Sequence, residues 1–158
     1  MDWQAGIWAV TLWTAGRVPT LVTFGLRQVA ASLLGAMVLE RWSQLTAFFP
    51  RVVVDEFAVL PDRFRALLHP PNRAELELAL AWFRTTIAQE ARLASLSRSG
   101  VIWEVGHEIM AVETAEELVT WRRRIRTGRA LGLSGKLPEA EAAVSISGSP
   151  LAPGRSSL

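Results

Sequence analysis

The 158-residue chain contains no cysteine and no tyrosine, only two histidines, and a single lysine, Lys136. Without cysteine there is no disulfide framework, no thiolate nucleophile and no thiolate-ligated zinc, and cysteine usage leaves the redox compartment open. With His69 and His107 as the only imidazoles, the paired histidines of the common metal motifs are excluded. Neither a Gly-rich phosphate loop nor a nucleophile-elbow pattern occurs. The shortage of lysine is matched by an abundance of arginine, which reads as a GC-rich coding bias before any chemistry.

What is present is apolar. Hydrophobic residues make up 50% of the chain and charged residues 20%, which is the composition of a packed domain and not of a disordered polymer. The length predicts one domain, placed at residues 1–130, followed by a Gly/Ser/Pro-rich extended tail over 131–158. Between Ala5 and Phe49 the only charges are Arg17, Arg27, Glu40 and Arg41. The most apolar window, Leu21 to Leu39, holds Arg27 and Gln28. A central arginine costs about 2.5–3.5 kcal/mol on membrane insertion, so a buried or interfacial segment is expected over a spanning one. Asp2 stands where a signal peptide carries a basic residue.

Local patterning predicts the elements. Residues 7–14 are β-branched and aromatic, Ala15-Gly16-Arg17 is able to turn, and residues 18–24 continue, which reads as a hairpin with Pro19 confined to an edge or a strand start. Residues 28–49, stopped by Pro50, predict a helix with one stripe through Val29, Leu33, Met37, Arg41 and Leu45. A neighbouring stripe runs through Leu34, Val38, Trp42 and Phe49. Such a helix needs cover from lipid, from its own chain or from another subunit. Residues 51–60 suggest a short strand, with Pro61 opening a brief helix that ends before His69. Asn72 as N-cap and Glu75 three residues later predict a helix over 73–98, with Leu76, Leu80, Phe83, Ile87 and Ala91 on its inner face. Gly106-His107 predicts the turn of a hairpin formed by 101–105 and 108–112, leaving His107 in solvent. Thr114 and Glu117 cap a last helix that Gly128 closes. The fold class expected is α+β and helix-rich: an N-terminal Trp-rich hairpin and apolar helix, a long central helix, a small hairpin with a short helix, and the tail.

Two sets of residues are candidates for binding. Trp3, Trp8 and Trp13 recur every five residues, a spacing that matches neither strand nor helix. With Leu34, Val38, Trp42 and Phe49 they are expected to meet a partner or a membrane, core packing being the plainer alternative. Arg122, Arg123, Arg126 and Arg129 form a basic run suited to phosphates or anionic headgroups. The same run, preceded by Glu116 and Glu117, also simply complements a helix dipole. Glu104, His107 and Glu108 are the one cluster resembling a metal or acid–base set, but an exposed turn lacks the closed geometry such a site requires. No catalytic, cofactor-binding or metal-binding residue is therefore assigned, and no cofactor is expected.

The resulting expectation is a non-catalytic structural subunit of a larger assembly, a virion or tail-type particle or a multi-subunit complex. Other protein subunits would contact its N-terminal third and tail. Two alternatives stand beside it: a membrane-associated protein with residues 5–49 in or on the bilayer, and a nucleic-acid-binding protein using Arg122–Arg129.

Overall fold

The computed structural model describes residues 6–26, 29–97 and 99–134, with residues 129–134 described by their backbone alone. The first strand, β1 (Ile7–Trp13), is apolar at nearly every position because it is inner in a sheet and covered on both faces, as such runs generally are. Its partners lie far away in sequence. The strands β4 (Val53–Val59), β5 (Arg63–His69) and β6 (Glu108–Val112) join it in one antiparallel sheet of order β4-β5-β1-β6. A small ribbon, β2 (Val22–Phe24) with β3 (Val29–Ala31), precedes the first helix. The helices are α1 (Leu33–Phe48), α2 (Arg73–Leu93) and α3 (Ala115–Ser134). Leaving out the ribbon, the order β1-α1-β4-β5-α2-β6 with this strand order is the ferredoxin-like arrangement, to which α3 is appended. The protein is α+β.

Alternation along the strands divides the core in two. On one face Val10, Leu12, Phe64, Ala66 and Leu68 pack with Leu34, Val38, Trp42 and Leu45 of α1 and Leu76, Leu80, Phe83 and Ile87 of α2. Trp42 is central there, its ring centroid 4.8 Å from Phe64 and 5.2 Å from Phe83 in edge-on contacts. On the other face Ile7, Ala9, Ala58, Leu67 and Val112 pack with Leu118 and Ile125 of α3. Gly35, in the first turn of α1, lies against the Leu21 carbonyl with no room for a Cβ, so the ribbon and the helix meet only because that residue is glycine.

Several expectations are corrected. Residues 7–14 do not pair with 18–24: the segment 22–24 pairs with 29–31 instead, which also takes the first turn away from the expected helix over 28–49. Ser32, whose hydroxyl accepts from the Gly35 N–H at 2.9 Å, starts α1. Pro61 opens no helix, since residues 63–69 form the strand between β4 and β1. Residues 101–105 make no hairpin with 108–112. Trp103 forms a single bridge to Thr14, and β6 pairs with β1. The caps at Asn72 and Thr114 are present, with Oδ1 and Oγ1 accepting from the Glu75 and Glu117 N–H groups. Helix α2 stops at Leu93, short of residue 98. Helix α3 runs through Gly128, which sits against Leu60, to Ser134, and so takes in residues 131–134 of the expected tail. The rest of that tail lies outside the described residues.

Candidate nucleic-acid interface

Helix α3 makes its apolar contact with only part of the second sheet face. The same face continues through Thr11 and Trp13 on β1, Arg63 and Arg65 on β5 and Glu108 on β6, of which Thr11 is buried and the others are at least partly exposed. Three guanidiniums approach one another here: Arg63, Arg65 and, from α3, Arg124. Arg63 pairs with Asp62 at 2.8 Å and lies over the Trp13 ring at 4.8 Å. Arg17 lies over Trp13 at 3.7 Å and pairs with Glu104 at 3.1 Å, while the Trp13 Nε1–H donates to Glu108 at 3.2 Å. Arg124 is held over Trp121 at 5.2 Å.

Arg65 differs from Arg63 in having no paired carboxylate. Among the described residues its side chain makes no hydrogen bond and no ion pair, and its Nε is buried without a partner. Its pKa is lowered, first by burial and then by the like charges of Arg63 and Arg124, against a smaller opposing pull from Glu108 and Asp62. A cation desolvated among cations is a costly arrangement that an anion relieves.

The arginines expected from the sequence have other fates. Arg122 donates Nε and Nη2 to Asp55 at 3.3 and 2.7 Å, and Arg126 pairs with Glu56 at 2.9 Å. Successive strand residues ordinarily point to opposite faces. The pairing of β4 with β5 shifts between Val54 and Phe57, and this irregularity lets both acids reach α3, where Arg122 and Arg126 stand one turn apart. Arg123 is exposed, and the Arg129 side chain lies outside the described residues. Sequence reasoning missed Arg63 and Arg65. Their signal was the alternation Arg63-Phe64-Arg65-Ala66, a strand pattern that the helix-opening reading of Pro61 concealed.

The expected partner or membrane contacts are largely internal. Leu34, Val38 and Trp42 are buried in the core. Phe49 packs on Trp82, Trp8 packs against the same core with Arg73 over its ring, and Trp13 belongs to the basic face. Trp3 lies outside the described residues. Among those residues no helix is long and apolar enough to cross a membrane, and residues 6–26 and 29–49 are divided between the sheet, the ribbon and α1. His107 is not in solvent: Nδ1 meets Arg84 Nη1 at 3.1 Å and Nε2 lies 3.4 Å from Glu77. Glu104 and Glu108 are taken by Arg17 and Trp13, so these three do not converge as a metal set. His69 has a lowered pKa, chiefly from burial and further from Arg122, with Asp55 opposing.

No known protein family and no curated protein matches the chain. Among solved structures it is similar to a REP-associated tyrosine transposase bound to a REP hairpin, with a TM-score of 0.49 and 13% identity. The match covers 77% of this chain and 62% of that one, so the chain spans less than two thirds of its structural neighbour. That neighbour is a transposase on a nucleic-acid hairpin, which is at odds with the expectations of a non-catalytic structural subunit, of a virion or tail-type particle and of a chain that is not an enzyme, and these expectations are not carried further. At this similarity the neighbour's activity is not carried over to the present chain, which contains no tyrosine.

Proposed function

We propose that the chain binds nucleic acid, its phosphate backbone lying on Arg63, Arg65 and Arg124 where the second sheet face meets α3. The observation that carries this reading is Arg65, a guanidinium among like charges with no partner of its own among the described residues. Two tryptophans support it. An arginine held by the face of an indole keeps its charge and its N–H edge, and Arg124 is held in this way over Trp121. Exposed Arg123 extends the basic surface along α3. The rings of Trp13 and Trp121 carry arginines on their faces, so the contact is to phosphate and not through stacked bases.

The test is fluorescence anisotropy with a DNA hairpin and a DNA duplex at several salt concentrations. Affinity is expected to fall linearly with salt on logarithmic axes, and the double variant Arg65→Gln, Arg124→Gln to flatten the duplex slope by roughly 0.9 per lost contact. A slope identical in wild type and variant, or no binding at about 50 mM salt, overturns the reading.

A further inference from the structure

A second basic site lies on the opposite side of the sheet, away from α3. Helix α2 presents Ala81, Arg84, Thr85, Ala88, Gln89 and Arg92 along one stripe, and with the segment 99–103 it borders an open cleft of about 460 Å³. That volume is within the usual range of small-ligand pockets, about 300–1,000 Å³. The small side chains of Ala81 and Ala88 leave the groove open above a floor of Ile102 and Trp103, both buried. The polar lining consists of arginine, glutamine, threonine and serine, and none of the lining residues is acidic.

Neither arginine makes an ion pair among the described residues. Arg84 Nη2 donates to the Glu104 carbonyl at 2.8 Å and Nη1 meets His107 Nδ1 at 3.1 Å. Arg92 is exposed and its guanidinium makes no hydrogen bond or ion pair among the described residues. Eight residues of helix separate them, about 12 Å along the axis, so they stand toward opposite ends of the cleft. Gly100, at a φ of +77°, closes the rim beside Arg92 without a side chain of its own.

From this geometry we infer that the cleft binds a small organic phosphate of nucleotide size, its phosphate on Arg92 and its flat apolar body over Ile102 and Trp103. The inference goes beyond nucleic-acid binding on the sheet face and does not depend on it. Charge selects an anion, and the apolar floor selects an organic one over a bare ion. The shared chemistry, a phosphate beside a ring, comes either from a free nucleotide or from one nucleotide of a strand.

Isothermal titration with adenosine 5′-monophosphate and with inorganic phosphate tests it on the full chain. Saturable binding of the nucleotide, weakened about tenfold by Arg92→Gln and abolished by Ala81→Phe, is expected, with inorganic phosphate binding more weakly. Both substitutions fall at exposed positions without partners, and hairpin binding by the two variants is expected to be unchanged. In the Arg65→Gln, Arg124→Gln background, competition by a short single-stranded oligonucleotide identifies the source as a strand, and its failure identifies a free nucleotide. The inference is overturned by absence of saturable binding at millimolar nucleotide, by equal affinity for inorganic phosphate, or by nucleotide binding that survives Ala81→Phe and Arg92→Gln. Loss of hairpin binding alone, in Arg65→Gln, Arg124→Gln, bears only on the sheet face.

Discussion

Arg122 grips both carboxylate oxygens of Asp55 from across the α3–β4 packing, and the Asp55 side chain is only 17% exposed there. Removing the arginine leaves a largely buried carboxylate without its counter-charge. Arg122→Gln is expected to lower stability by about 1–2 kcal/mol, discounted because the arginine itself is partly solvated. Arg123→Gln, at an exposed position, is expected to stay within about 0.5 kcal/mol. Urea unfolding of the two variants measures the contrast.

His69 faces the same pair. Its imidazole is held below the ordinary histidine value of 6.5 by burial, with Asp55 pulling the other way and Arg122 adding a smaller push downward. The unfolded chain therefore takes up a proton at a pH where the folded chain still excludes it. Stability is full above the unfolded value and declines as the pH falls from there toward the folded value. His69→Asn is expected to flatten this decline, and unfolding free energies on either side of pH 6.5 check it.

The inner face of α1 is decided by two positions. Trp42 is 4% exposed and Leu33 is 72% exposed. Trp42→Ala is expected to cost about 3–5 kcal/mol through the cavity left among Phe57, Phe64 and Phe83. Leu33→Ala is expected to change stability by less than about 0.5 kcal/mol. Thermal melts of the two variants read the difference. A large effect at Leu33 contradicts the packing.

Gly35 gives a steric prediction. A methyl group there meets the Leu21 carbonyl, which is backbone and gives way only if the ribbon shifts. Gly35→Ala is expected to destabilise by about 1–3 kcal/mol, although alanine is the better helix former. Hydrogen exchange is expected to show lost protection at the Ser32 N–H, which donates to Leu21.

The α+β class, the caps at Asn72 and Thr114 and the inner stripe of α2 were legible because each depends on neighbours within one or two turns. Strand partners were not. The apolar run 7–13 announces burial on both faces but carries no information about which distant segments supply the cover, so the nearest one, 18–24, was an unsound choice. Trp42 and Val38 read as surplus apolar surface for the same reason, since the aromatic cluster that takes them up comes from β4, β5 and α2. The basic face was half visible. Arg124 lies within the arginine run, but helical spacing favoured Arg122 and Arg126, whose counter-charges come from an irregular stretch of β4. Arg63 and Arg65 join Arg124 only through the sheet.

The place of β1 sets the order in which the protein is able to form. Its strand bonds to β5 on one side and to β6 on the other, with Ile7 opposite Val112. During synthesis β1 must therefore wait for β6, the last strand among the described residues, before its second edge is closed. Pairing over such separations is entropically slow, and a nascent chain ending before residue 108 leaves that edge of an apolar strand unpaired.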